Sequence, residues 1–325
     1  MSKTNRCLCL LSLSVLTACS ATVSLGSAEG TGGANSTTLE NSTTGGAASL
    51  QDGGVAAVAF ASVSAGLQSA CSLRTDGTLD CWGDNSAGQA TPPTGTFTSV
   101  TMGDGFACGV RTDGTLDCWD HMYLASEPPP SGPFLSVSAG YSYACGVSTD
   151  NTIICWGANF GQQPPSGVFL SVSTGNSGSA CGVATDGTLA CWGDNSAGQA
   201  TPPAGTFTSV ATGYGSPCGV RTDGTLACWG YNNLGQATPP SGTFGSISAG
   251  DHFACAVRTD GTLTCWGDNN LGQATPPLGT FKCVSAGQNF ACGVRTDGTL
   301  LAGATSPTAR TSHRRHEEYS LCSRS

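Results

Sequence analysis

The chain has 325 residues, among them 47 Gly, 16 Pro and 18 Cys, and a formal net charge of −9. Only 10% of it is charged, against about a quarter in ordinary globular proteins, and Lys occurs just twice, at Lys3 and Lys282. That composition argues against nucleic-acid binding, which needs a basic face to neutralise phosphates, and no apolar run reaches the ~18–20 residues of a membrane-spanning helix.

Residues 1–18 read as an export signal: a short basic start (Lys3, Arg6), then a weakly apolar run from Leu8 to Leu16. It ends in Leu16-Thr17-Ala18-Cys19, which resembles the bacterial lipobox, so Cys19 is the expected lipidation site. Ser20 behind it favours, by similarity to enteric lipoproteins, the outer membrane or cell surface. Residues 19–59 are Ser/Thr/Gly-rich with almost no aromatics and read as a tether that cannot bury enough apolar surface to fold.

From residue 60 to 300 the chain is one repeat. Trp stands at 82, 119, 156, 192, 229 and 266, a step of 36 or 37 residues. Each unit starts on a Phe: Phe60, Phe97, Phe134, Phe169, Phe207, Phe244 and Phe281. Within a unit the Phe-led segment alternates apolar and Ser positions, as a short strand does. A second strand, Cys-x-Val-Arg, enters Thr-Asp-Gly, which fits a three-residue hairpin loop closed by Gly in left-handed geometry. A third strand, Leu-x-Cys-Trp, leads out, and Pro-Pro stops the ladder before the next unit. Three short strands repeated seven times predict an all-β fold closed radially, a seven-bladed β-propeller with three-stranded blades. A linear β-solenoid is the competing layout, although its rungs are usually shorter.

Two Cys stand ten apart in each of six units: Cys71/Cys81, Cys108/Cys118, Cys145/Cys155, Cys181/Cys191, Cys218/Cys228 and Cys255/Cys265. The midpoint of each pair is the central hairpin residue, so the two face each other on adjacent strands at a separation that suits a disulfide. An export signal supplies the oxidising compartment. Buried free thiols are the weaker reading, and zinc weaker still, because each unit offers two thiols and no regular His.

The segments Ser-Val-Ser-Ala-Gly and Val-x-Thr-Asp-Gly-Thr-Leu-x-Cys-Trp-Gly-x-Asn-x-x-Gly-Gln resemble the repeat of the regulator of chromosome condensation family. The short period looks most like its secreted bacterial branch, which includes the seven-bladed propeller inhibitors of β-lactamase. The resemblance implies fold strongly and function weakly.

The seventh unit departs from the rule. Cys292 meets Ala302 where a Cys is due, Trp is missing near 303, and residues 301–325 turn basic and irregular. With permitted codons, Leu301 to Arg315 reads in another frame as Gly-Trp-Gly-Asp-Lys-Ser-His-Gly-Gln-Asp-Leu-Pro-Pro-Pro, which restores the repeat. The tail therefore reads as a frameshift product, the seventh blade as incomplete and lacking its last strand, and Cys283 as a partner for the orphan Cys292.

Repeated residues read as architecture: Asp before Gly as a turn residue, Trp as packing between blades, Arg before Thr-Asp-Gly as either an inter-blade partner or a solvated strand end. The variable turns after the first strand of each unit are the candidate binding face. Its candidates are Asp104, Phe106, Tyr141, Tyr143, Tyr214, Asp251, His252, Phe253, Asn289 and Phe290, with Phe106, Tyr143, Phe253 and Phe290 also readable as inward packing. A second departure is Asp120–Glu127, where unit two loses both loop glycines. No nucleophile elbow, phosphate loop, catalytic carboxylate pair or metal cluster is expected, and no cofactor. The reading is a monomeric, lipid-anchored, non-catalytic module binding a protein or glycan at the cell envelope. The alternatives are a guanine nucleotide exchange factor, by family resemblance, and a propeller hydrolase.

Overall fold

The computed structural model describes residues 58–119, 129–158 and 163–304. They form seven three-stranded antiparallel sheets, each in sequence order. The inner strands are Phe60–Ala65, Phe97–Met102, Phe134–Ala139, Phe169–Thr174, Phe207–Ala211, Phe244–Ala249 and Phe281–Ala286. In blade one the middle strand is Ser69–Arg74 and the outer strand Leu79–Gly83. In all seven blades the inner ladder slips after its first pair; in blade one Phe60 faces Arg74 but Ser62 faces Leu73. A bulge of this kind increases local twist, and it sets the Arg over the Phe: Arg111, Arg221 and Arg258 each lie 4.9 Å from the ring centre of Phe97, Phe207 and Phe244. These guanidinium groups also donate to the carbonyls of Thr94, Ala204 and Ser241 in the segment entering the same blade. The Arg thus ties its own blade together rather than pairing with a neighbour.

The hairpins form as the sequence predicts. Asp76 accepts both the N–H and the hydroxyl of Thr78, at 2.9 and 2.7 Å, and Gly77 takes φ 86°. Blade three has Asn151 at this position, with φ 64°, a conformation Asn tolerates better than most residues.

All six expected disulfides are present: Cys71–Cys81, Cys108–Cys118, Cys145–Cys155, Cys181–Cys191, Cys218–Cys228 and Cys255–Cys265, with Cα atoms 4.0 to 4.1 Å apart. The two ends of a bridge differ, which their equivalent spacing did not foretell. The middle-strand members, Cys71, Cys108, Cys145, Cys181, Cys218 and Cys255, are wholly buried. On the outer strands Cys118 is buried as well, but Cys81, Cys155, Cys191, Cys228 and Cys265 are only half-buried. The physical reason is position in the sheet: the outer strand has no further strand beyond it. These cysteines are structural, and none belongs to the variable turns.

No blade has a core of its own. Apolar side chains are buried between consecutive blades: Cys71 and Leu73 of blade one pack with Phe97, Val100 and Trp119 of blade two, and Cys81 lies against the same cluster. Each disulfide is thus part of the surface on which the next blade stacks. The loop after the outer strand adds a link the sequence reading missed. The backbone carbonyls of Gln89, Gln199 and Gln236 accept the indole N–H of Trp119, Trp229 and Trp266, one blade on, at 3.1, 2.9 and 3.0 Å. The corresponding carbonyls for Trp156 and Trp192, at 126 and 162, lie outside the described residues.

The ring is closed. The N–H of each inner-strand Phe donates to the carbonyl at the hairpin of the preceding blade, from Phe97 to Gly77 at 2.8 Å through Phe281 to Gly261 at 2.8 Å, and Phe60 makes the same bond to Gly298 at 3.0 Å. Phe60, Val63 and Ala70 pack against Phe290, Cys292 and Val294 across this seam.

The seventh blade corrects two expectations. Its last strand is present: Leu300–Ala304 pairs along the middle strand Phe290–Arg295, with Cys292 opposite Ala302. Backbone pairing needs no particular side chain, so a changed sequence still completes the ladder. Cys283 does not pair with Cys292: Cys283 is disulfide-bonded, and Cys292 is a buried free thiol whose pKa burial pushes up to about 12. The signal, Cys19, most of the tether, Asp120–Glu127 and the tail from 305 lie outside the described residues.

Candidate binding face

The turns between inner and middle strands gather around the axis on one face. Behind them the inner strands enclose an axial cavity of about 90 Å³, lined by Ser64, Thr101, Ser138, Ser173, Ser248 and Ser285 among others. These six hydroxyls form a belt. Each accepts the backbone N–H of the next blade's inner strand: Met102 to Ser64, Ala139 to Thr101, Thr174 to Ser138, Thr212 to Ser173, Ala286 to Ser248 and Ala65 to Ser285, all at 2.9 to 3.1 Å. Blade five has Ala211 at the equivalent position, so the belt has one gap, toward Ala249. Next comes a ring of glycines at the point of closest approach to the axis. A Cβ on Gly66 would lie 2.6 Å from the Gly103 carbonyl oxygen, one on Gly213 2.0 Å from that of Gly250, and one on Gly287 2.3 Å from that of Gly66. Only Gly fits.

The variable residues follow these glycines. At the first turn position Tyr141 and Tyr214 are 44% and 45% exposed. The Tyr214 ring meets His252 of the next blade edge-on, with centroids 5.7 Å apart. In the same sector Tyr231 lies over the turn at Gly215, and His252 is exposed. Asp104 is half-buried. Asp251 is buried; its carboxylate accepts the Asn176 amide at 2.7 Å and a further hydrogen bond from Gln288. Blades four, six and seven therefore meet at this one side chain. Burial raises the pKa of Asp251, and burial plus the charges of Asp251 and Asp84 raises that of Asp104.

Four of the sequence candidates are corrected. Phe106, Tyr143, Phe253 and Phe290 are 0 to 5% exposed and offer no surface to a partner. Each ring lies close to the glycine that precedes its own turn, as with Phe106 on Gly103 and Phe253 on Gly250. Tyr143 also donates its hydroxyl to the Ser179 carbonyl of the next blade at 2.8 Å. Asp251 organises the face rather than standing out from it. Asn289 is half-buried on the same face. Sequence reasoning placed Asn176 and Gln288 in the variable turns, by their position after the axial glycine, without singling them out, and it missed Tyr231.

Comparison with known proteins agrees with this architecture. The model of the regulator of chromosome condensation (RCC1) repeat matches residues 60–89, 134–162, 207–236 and 246–273. Four of its seven blades, the first, third, fifth and sixth, thus carry a match to this repeat. Two solved structures similar to it are receptor-kinase ectodomains from plants. One is the entire ectodomain of CR4 from Physcomitrella patens, 27% identical with a TM-score of 0.66 over 76% of this chain and 74% of that one. The other is the CRINKLY ectodomain of ACR4 from Arabidopsis thaliana, 26% identical with a TM-score of 0.66 over 75% of this chain and 95% of that one. Prp20p from Saccharomyces cerevisiae shares the fold at 14% identity, with a TM-score of 0.62 over 71% of this chain and 81% of that one. No curated protein sequence matches the chain.

Proposed function

We propose that this RCC1-repeat propeller is a non-catalytic binding module that works outside the cytosol, held to the bacterial cell envelope by lipid on Cys19 and binding a protein or glycan through its turn face. The observation that carries the reading is the contrast between frame and face. Each turn is held on a rigid, disulfide-linked ring, yet the side chains at the turn positions differ from blade to blade and include exposed Tyr141 and Tyr214. Fixed scaffolds with variable loops are where binding specificity concentrates. The six disulfides suit an oxidising compartment, and similar folds serve as ectodomains in the plant receptor kinases.

The test has two arms. Mass spectrometry of the protein from its native membrane, with and without reduction, should find six intrablade disulfides and a lipid mass on Cys19. Binding of the purified propeller to envelope fractions should be lost in Tyr141→Ala/Tyr214→Ala while the fold is kept. Free cytosolic thiols, or envelope binding indifferent to both tyrosines, would sink the proposal.

A further inference from the structure

The Lys and Arg side chains of the described propeller all lie toward one of its two faces, where the hairpin Asp residues accompany them. Arg74, Arg111, Arg221, Arg258 and Arg295 all end middle strands at the hairpin face, and Lys282 adjoins Phe281, which pairs with Arg295. Among the described residues the turn face therefore has no Lys or Arg. It carries Asp104 and Asp251, and Asp84, Asp194 and Asp268 open loops that leave from it, their N–H groups bonded to turn carbonyls. No hydrogen-bond donor among the described residues reaches the Asp104 carboxylate.

Exposed apolar side chains occur around the ring, Leu135, Val168 and Leu278 among them, and one group lies on the turns and outer loops of blades five and six. Tyr214, Tyr231, Leu234 and Leu271, all in blades five and six, are 36 to 49% exposed. The loops of blades one and four carry Ala87 and Ala197 where these carry Leu234 and Leu271. The face thus combines an aromatic and aliphatic patch with two acidic side chains, Asp251 held by Asn176 and Gln288 and Asp104 half-buried, and with no Lys or Arg, so charge complementarity points to a cationic partner.

We propose that the turn face docks a protein segment bearing lysine or arginine, with one cationic side chain at the axis beside Asp104 and Asp251 and the neighbouring apolar side chains against Tyr214, Tyr231, Leu234 and Leu271. A cation at that point relieves the mutual repulsion of the carboxylates, which a neutral sugar cannot do. The electron-rich faces of Tyr214 and Tyr231 add to the attraction for an ammonium or guanidinium group. Like charge is one of the stronger means of rejecting wrong partners, so acidic surfaces are turned away. The inference rests on the reading of this face as the binding surface and narrows it to one partner chemistry.

The probe is a hexalysine peptide, with hexaglutamate and neutral chitohexaose alongside, titrated calorimetrically into the disulfide-bonded propeller. Hexalysine should bind, and added salt should weaken it. Asp104→Asn/Asp251→Asn should weaken it roughly tenfold and Tyr214→Ala about threefold. The charge-matched control Asp113→Asn/Asp186→Asn, on the hairpin face, should bind like the parent. Equal loss in the hairpin control, or no hexalysine binding at all, overturns the proposal. So does chitohexaose binding that depends on Tyr214 while hexalysine binding does not. If envelope binding still depends on Tyr141 and Tyr214 in that event, the partner chemistry is wrong and the binding-face reading stands. If it does not, both fall.

Discussion

Ala211 is the one residue that interrupts a belt otherwise made by Ser or Thr in every blade. A serine there places a hydroxyl where the other six blades have one, facing the N–H of Ala249. Ala211→Ser should therefore raise stability by about 0.5–1.5 kcal/mol, the net worth of one buried hydrogen bond. Ser138→Ala should lower it by about the same or more, because the Thr174 N–H loses its acceptor at 3.0 Å. Chemical denaturation midpoints decide both, and an unchanged midpoint in Ala211→Ser would show that the gap is already filled. Carboxylates divide by sign. The hairpin Asp residues are held below the ordinary carboxylate value by their Thr hydrogen bonds, Asp150 to about 2 by Ser148 and Thr152. A lowered folded-state pKa gives stability that is present above the unfolded value, 3.8, and lost as pH falls toward the folded one. Asp104 has the opposite shift, so its ionisation costs stability as pH rises. Asp104→Asn should melt higher than the parent at pH 7, with the difference vanishing as pH falls below about 4, the ordinary Asp value. A difference that persists there would assign it to packing instead.

Each blade shows which elements can be read from a sequence and which cannot. The disulfides, hairpins and strands were legible because each is local: a ten-residue Cys spacing centred on Asp-Gly fixes register by turn geometry alone. The hydroxyl belt was not, since its donors and acceptors lie 36 to 39 residues apart in five of the six bonds and 220 apart across the closing seam, and the serines look like the polar side of an alternating strand. The third-position aromatics were ambiguous for a related reason. They sit two residues along the turn from the position that exposes Tyr141 and Tyr214, and only the adjoining glycine, by leaving room for a ring, turns them inward. Blade seven separates backbone from side chain: its outer strand pairs without Cys or Trp, but Cys292 is left as a thiol opposite Ala302. Because this pair occupies the register of the six disulfides, Ala302→Cys should close a bridge equivalent to theirs and add roughly 2–3 kcal/mol, less any strain. Loss of two hydrogens by mass and a raised denaturation midpoint under non-reducing conditions would establish it. A persistent pair of thiols would show that the outer strand is held less closely than in the other blades.

At the scale of the whole ring, stability is a sum of blade–blade seams, and one seam differs from the rest. Elsewhere a seam has backbone bonds from the Phe, an apolar layer including a disulfide, and where described a Trp N–H latched to a Gln carbonyl. The seam between blades seven and one keeps the Phe60–Gly298 bond and the axial Ala65–Ser285 bond. At the register of the other blades' bridges it has the free thiol of Cys292, although Cys283 in the same apolar layer is disulfide-bonded, and the tail that should supply a Gly-Gln loop to Trp82 carries none. Gln273, in the loop of blade six, likewise faces a seventh blade with Gly303 where Trp is due. The seam between blades seven and one thus lacks one latch, worth about 1 kcal/mol, and the intrablade bridge beside it, and the adjoining six–seven seam lacks one latch, so the ring opens first around blade seven. Amide hydrogen exchange should therefore be fastest in peptides spanning 58–66 and 281–304, and slower at the equivalent positions of blades four to six. Replacing residues 302–315 by Gly-Trp-Gly-Asp-Lys-Ser-His-Gly-Gln-Asp-Leu-Pro-Pro-Pro restores both latches, and should bring protection at the seam up to the level of the others. Uniform protection in the parent chain would mean that backbone closure and the glycine ring carry the seam without help. Protection that stays low after the replacement would place the weakness in the missing disulfide, which the Ala302→Cys chain tests separately.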